Sequence, residues 1–348
     1  MKKPWARVAL SVLSLALAVT LVLFLPQIVG TLTGKTVSWA EIGHEFAGLG
    51  PATIGLMAAT WLASLLAYTF VLTNSLPGLT HTQALTLNAA GSAVSNVLPF
   101  GGAAGVALTF AMTRGWGFAN RPIVVMTLVS GIWNTLFRFI LPAVGIIALL
   151  MAGKVPDQRV ANAGWVGALS ILAIVAVLAV ALYWDRAARV VGRFLDKVTP
   201  KRLHAGEAFH NLRRDTAGIV KTRSLGLSIG MVAFLGLQWV IMVECMHATG
   251  SYPGLAQSIA VFALSRVLTS AVITPSGAGI MEAGTAAFLV SFGVADASAA
   301  ATALLFGFWT YTIEIPFGGL ALGAWAFLRR RDGRGSRTEA SEAVKAES

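Results

Sequence analysis

Ser270–Glu282 reads S-A-V-I-T-P-S-G-A-G-I-M-E, a proline and two glycines set in an apolar run. Arg266 stands nine residues before Pro275, and Glu282 seven after it. Apolar sequence rarely holds opposite charges around a broken helix unless something binds or moves there. An echo lies upstream, where Ser95–Gly105 reads S-N-V-L-P-F-G-G-A-A-G. The two prolines, Pro99 and Pro275, set an offset of 176 positions (275 minus 99).

At that offset, Ser75-Leu-Pro77-Gly78-Leu79 matches Ser251-Tyr-Pro253-Gly254-Leu255 without gaps. Gly101 matches Gly277, Gly117 matches Gly293, and Gly131-Ile-Trp133 matches Gly307-Phe-Trp309. Matched Pro, Gly and Trp carry more weight than matched Ala or Leu in so apolar a chain. Residues of about 51–150 and 227–326 therefore read as two copies of one unit: helix, broken hairpin, helix.

Of the 348 residues, 56% are hydrophobic and only 12% charged. Soluble domains are usually about 25% charged, so the composition reads as a multi-pass membrane protein. Its net charge of +11 lies outside the apolar runs, where membrane topology and anionic headgroups account for it, and no nucleic-acid partner is expected. One cysteine, Cys245, excludes an intrachain disulfide, and no metal set, cofactor loop or nucleophile elbow is present. No cofactor and no enzymatic constellation are expected.

The expected fold is all-α, with six full transmembrane helices plus two broken or re-entrant hairpins. The full spans cover about 8–30, 51–73, 123–151, 164–184, 225–248 and 297–328. The first is too long for a signal-peptide core, which runs to about 15 residues, and reads as a retained span. Residues 185–224 hold ten Lys/Arg against four acids and read as a cytoplasmic loop with amphipathic pieces. Residues 329–348 read as a disordered cytoplasmic tail. If each broken run enters and leaves on one side, 21 Lys/Arg fall inside and three outside (Lys35, Lys154, Arg159). The positive-inside rule then puts both termini in the cytoplasm and makes the two copies inverted. Inverted repeats with discontinuous helices are a common build of secondary transporters.

Within the apolar runs the acids and arginines are Arg138, Glu244, Arg266, Glu282 and Glu314. Arg138 and Glu314 occupy equivalent positions, each one turn after a polar companion (Asn134, Thr310). A mid-span Arg costs about 2.5–3.5 kcal/mol on insertion scales, so the two are expected to pair or to share a polar cavity at the repeat interface. Arg266 and Glu282 flank the Pro275 tip, and the legs of one hairpin would bring them together. In both cases a purely structural ion pair is the competing reading. The glycines at each tip (Gly101, Gly102; Gly277, Gly279) open a second half-helix whose free N–H groups suit a phosphate. A break that merely permits the hairpin is the alternative. Asn88, Ser92, Ser95 and Asn96 line a candidate polar path, and Glu244 reads as an interfacial, hydrated acid.

The segment R-V-L-T-S-A-V-I-T-P-S-G-A-G-I-M-E (266–282) resembles the Arg…Pro-Gly-Gly-x-Gly-x-x-Glu signature of the lysylphosphatidylglycerol synthase transmembrane (flippase-like) family. N-V-L-P-F-G-G-A-A-G (96–105) resembles that family's first-half motif. The likeness spans about 8–328 and implies a lipid-flippase fold in a bacterial-type inner membrane, with Arg266, Pro275, Gly277, Gly279 and Glu282 at motif positions. Ala278 departs from the second consecutive Gly, and Val106 and Ala104 stand where acids would be matched. Residues 329–348 leave no room for an aminoacyltransferase domain like that of the larger synthases. The leading expectation is translocation of an anionic phospholipid or polyprenyl-linked lipid between leaflets. The alternative is a non-transporting partner of a separate lipid-modifying synthase, docked through 185–224.

Overall fold

A computed structural model describes residues 16–33, 36–98, 101–154, 162, 164–173, 205–269, 274 and 277–329, with side chains placed from 214 onward in the helix that starts at Ala205. Among these residues the chain is all-helical. After a helical turn over 16–23 come α1 (Leu25–Thr33), α2 (Trp39–Phe46) and α3 (Pro51–Ser75). The first hairpin is α4 (His81–Val97) and α5 (Gly101–Gly115), followed by α6 (Asn120–Met151) and α7 (Gly164–Ala173). Next come α8 (Ala205–Ala248), the second hairpin α9 (Leu255–Leu268) and α10 (Ile280–Ser291), and α11 (Asp296–Arg329).

Local sequence sets these boundaries. Pro51 opens α3 at a position where a helix has no use for the missing N–H. Thr80 and Gln83 form a reciprocal capping box at the start of α4, and Ser38 and Glu41 do the same for α2. Gly78 (φ 92°) and Gly254 (φ 117°) turn the chain into the two hairpins, and Gly117 (φ 89°) and Gly293 (φ 86°) turn it out. Each pair is separated by the same 176 positions (254 minus 78, 293 minus 117). Asn120 and Asp296, which open α6 and α11, stand at that spacing too.

Four helices are long and apolar enough to cross a membrane: Pro51–Ser75, Asn120–Met151, Arg214–Ala248 and Asp296–Arg329. These match four of the six expected spans, and the chain is a multi-pass membrane protein. The expected first span lies partly outside the described residues, as does the one over 164–184. So do the 185–224 loop, in part, and the 329–348 tail. At 1.5 Å per residue the 25-residue α3 is about 37 Å long, enough for a hydrocarbon core of about 30 Å. The hairpin legs, of 12 to 17 residues, are only about 18–26 Å long.

Small residues bring the helices together, as expected where apolar solvent gives helices no hydrophobic reason to associate. Gly230 lies so close to α3 that a Cβ there would stand 3.0 Å from the Phe70 Cβ. The last helix of each unit packs on the first leg of the other. On one side Gly145 of α6 faces Ala260 and Ala263 of α9, and on the other Gly318 of α11 faces Ala89 and Ala93 of α4. Trp61, Trp309 and Phe317 form an aromatic knot between α3 and α11, with Trp61 edge-on to Phe317 at 5.1 Å.

Candidate functional site

The regular path of α11 is interrupted at Phe308–Thr312, which forms a π-turn. Such single wide turns frequently mark functional sites. Thr310 and Tyr311 of that turn, with Glu314 just after it, line a cavity of about 410 Å³. The opposite wall is α6, where Thr127, Gly131, Asn134 and Arg138 recur at helical spacing on one face. Asn88, Ser92, Ser95 and Asn96 of α4 form a third polar stripe, and Gly102, Gly105 and Thr109 of α5 a fourth. Arg266 enters from α9, Tyr68 from α3 and Gln238 from α8.

Arg138 and Glu314 thus share one cavity near the middle of their helices, and Arg266 joins them. Glu314 accepts a hydrogen bond from the Asn96 amide (Nδ2 to Oε2, 3.0 Å), and Ser92 bonds to it as well. Asn96 also donates to the Tyr311 carbonyl at 3.3 Å, which ties the first hairpin to the π-turn. Asn134 donates to the Tyr68 hydroxyl at 2.6 Å. Arg266 is only 7% exposed, and the charged groups acting on it are Arg138 and Glu314. Among the described residues its Nε and Nη1 have no hydrogen-bond partner. Two guanidinium groups against one carboxylate leave the cavity formally cationic.

The expected meeting of Arg266 with Glu282 does not occur. Glu282 is the third residue of α10, and its Oε2 accepts the N–H of Gly279 at 2.7 Å. The carboxylate therefore closes the start of its own helix instead of reaching across the hairpin. Glu282 is buried beside Gly307, outside the cavity wall. Gly277 (φ 74°) and Gly279 (φ 82°) are also outside that wall. A Cβ on Gly277 would fall 2.6 Å from the Leu268 carbonyl, and one on Gly279 2.4 Å from the Leu21 Cβ. Both glycines permit close packing in a left-handed conformation. Pro275 lies outside the described residues. Glu244, read as an interfacial acid, is half-buried and accepts a bond from Thr60 at 2.8 Å.

The first tip behaves differently. Gly101 is buried, and a Cβ there would lie 2.2 Å from the Ser95 carbonyl oxygen. Gly102 lines the cavity with no atom within 4 Å of its added Cβ. Gly102, Val106 and Gly131 are exposed and line the cavity along the seam between α5 and α6. Gly101→Ala is expected to lower the thermal midpoint by several degrees through backbone overpacking, a cost of about 1–3 kcal/mol. Gly102→Ala is expected to leave stability within about 0.5 kcal/mol of the parent. Paired thermal melts in detergent check the contrast.

Tyr68, Gln238 and Tyr311 are cavity residues that sequence reasoning did not single out. Tyr68 had one usable signal, a polar ring in the inner half of an apolar helix that otherwise offers only hydroxyls and an end-of-helix Asn.

These features define a multi-pass membrane protein, all-helical among the described residues, with a charged polar cavity between its long helices and its hairpins. The profile of the family described as lysylphosphatidylglycerol synthase TM region matches residues 5–318, and the chain belongs to that family. The family's name ties this membrane region to lipid modification. No curated protein matches the chain.

Proposed function

We propose that this protein moves an anionic lipid, phospholipid or polyprenyl-linked, between membrane leaflets. The observation that carries the reading is Arg266, a buried guanidinium on the cavity wall whose Nε and Nη1 have no hydrogen-bond partner among the described residues. A phosphate would supply the acceptors it lacks, and charge-assisted bonds of this kind are the strong ones. The lipid's chains would stay in the bilayer at the Gly102–Val106–Gly131 rim while the headgroup entered. Inside, it would meet Arg138 and Arg266, in competition with Glu314.

The two units are read as inverted repeats within six full spans, with termini in the cytoplasm of a bacterial-type inner membrane. The matched turn glycines, the reciprocal packing of α6 on α9 and α11 on α4, and the charge distribution support this. Hairpin legs shorter than the hydrocarbon core favour re-entrant hairpins over single crossings. In that orientation α4 starts and α5 ends on the cytoplasmic side. The cavity, which extends to Thr109 and Thr127, then opens toward the inner leaflet.

The test is scrambling of fluorescent phosphatidylglycerol by the purified protein in liposomes. The parent protein is expected to accelerate exchange, and an Arg138→Ala, Glu314→Ala double variant to reduce it at least tenfold. Parent-level exchange by that variant, or none by the parent, would sink the proposal.

A further inference from the structure

We infer that the two units are held in different states of one switch, and that in the alternate state Thr310 of α11 donates to the free oxygen of Glu244 on α8. The inference rests on the proposed reading of the halves as inverted repeats of a transporter. It names the contact that changes as the cavity turns from one leaflet to the other.

The 176-residue offset lets each unit serve as the other's control. In the first unit, residues 131–136 are regular α-helix and their polar side chains are engaged. Trp133 Nε1 donates to the Ser228 hydroxyl (3.2 Å), Asn134 to the Tyr68 hydroxyl (2.6 Å) and Thr135 to the Gly131 carbonyl (2.8 Å). The equivalent residues of the second unit are 307–312, where the helix widens into the π-turn. There the Ile313 N–H reaches five residues back, to the Phe308 carbonyl at 3.0 Å. Trp309 Nε1, Thr310 Oγ1 and the Tyr311 hydroxyl are buried, and none has a hydrogen-bond partner among the described residues. The same positions are regular and satisfied in one unit, wide and unsatisfied in the other.

One of these bonds joins two helices, since Asn134 and Tyr68 tie α6 to α3. Advanced by the same 176 positions, Asn134 becomes Thr310 and Tyr68 becomes Glu244. Thr60 holds one Glu244 oxygen, Oε1, at 2.8 Å, while Oε2 is buried without a partner among the described residues. A free hydroxyl and a free carboxylate oxygen therefore stand where the first unit makes its bond. The two helices already pack on each other, α8 against Asp296–Gly307 of α11, immediately before the wide turn. Unpartnered buried polar atoms destabilise the state that holds them. A conformation that joins this pair recovers a bond that the present one lacks.

The sequence of α11 gives it the means to change. Moving the extra residue of a π-turn re-aims the residue it passes by about 100°, one residue's share of a 3.6-residue turn. Gly307 precedes the turn, and Pro316, with no N–H, deprives the Thr312 carbonyl of its regular helical donor. Few backbone bonds therefore resist the movement. Trp309 rides on the same turn against Trp61, ring centroids 6.3 Å apart, and the Trp61 Nε1 is also unpartnered among the described residues. Trp61 stands one turn before Leu65 of the cavity wall, which in the proposed orientation is the outer side. Turning Thr310 toward Glu244 parts the two indoles and opens that side. In exchange, α6 takes up the wide turn over 132–136 and releases Asn134 from Tyr68, as inverted repeats trade conformations.

The experiment uses the purified full chain in liposomes holding fluorescent phosphatidylglycerol. Thr310→Val removes little more than the hydroxyl. The thermal midpoint should stay or rise, because that hydroxyl has no partner to lose, while lipid exchange falls about tenfold or more. Thr310→Ser, which keeps the hydroxyl, should rescue exchange. A Thr310→Val, Glu244→Leu double variant should be no slower than Glu244→Leu alone. The conformation itself is read in a Cys245→Ala, Glu244→Cys, Thr310→Cys chain treated with a mild oxidant. An internal disulfide is expected, found by mass, and it should stop exchange until reduced. Parent-level exchange by Thr310→Val, or no disulfide, overturns the switch and leaves the transport reading in place. A disulfide that forms without slowing exchange also overturns it. A disulfide in a chain whose parent moves no lipid sinks the transport reading and leaves the two conformations standing.

Discussion

Arg266→Gln is expected to weaken binding of an anionic lipid about 100-fold while leaving the thermal midpoint unchanged or higher. Hydrogen bonds to charged groups contribute about 1.5–3 kcal/mol net, and Arg266 lines the cavity with its Nε and Nη1 unpartnered among the described residues, so a hundredfold loss is within reach. The stability arm has the opposite sign for a physical reason. This guanidinium is 7% exposed, has no hydrogen-bond partner at Nε and Nη1 among the described residues, and has Arg138 as a like-charged neighbour beside Glu314. Removing such a charge relieves desolvation and repulsion. A residue serving only as a structural ion pair would do the reverse. Lipid titrations and melts on the same preparations separate the two, and a loss of stability with binding intact would mean that Arg266 is a packing element.

Gly318→Ala is expected to cost about 2 kcal/mol or more and to impair the cavity along with the fold. The added Cβ would lie 2.0 Å from the Ala89 carbonyl oxygen and 2.6 Å from the Ala93 Cβ. None of these atoms can rotate away, so α4 and α11 must separate. Gly318 follows Glu314 by one turn, and Asn96 lies two turns beyond Ala89, so the separation pulls on the 3.0 Å bond between Asn96 and Glu314. Gly319→Ala is the control, because nothing lies within 4 Å of its added Cβ. A melt lowered by Gly318→Ala and not by Gly319→Ala, with weaker lipid binding in the first, is the expected pattern. Equal behaviour of the two would show that this contact does not hold the hairpin.

How legible the protein was in its sequence varied with the kind of question. Apolar run lengths and turn residues carried four of the six expected spans and the hairpin legs, because crossing a bilayer and reversing a chain are local demands. The turns were readable at Gly78, Gly117, Gly254 and Gly293, which all have a positive φ. Sequence reasoning also brought Arg138 and Glu314 to one cavity, since equivalent positions on facing helices invite that. It failed at Arg266 and Glu282. Proximity along a hairpin says nothing about how each leg is rotated, and a Glu three residues into a helix has a nearer partner in its own first N–H groups. The cavity's polar lining was only half readable. Asn88 and Ser92 stood out as polar, but where Thr127 and Ser130 direct their protons is set by the helix they sit in.

The proposed lateral entry at Gly102, Val106 and Gly131 bears on how affinity at this site is measured. A lipid that enters there never passes through water, so its effective concentration is its mole fraction in the leaflet, a two-dimensional quantity. Dissociation constants expressed per litre will drift with the amount of detergent or lipid in the sample. Titrations at fixed protein and varied bilayer composition will hold constant, and the same surface dilution governs any inhibitor that must first partition into the membrane.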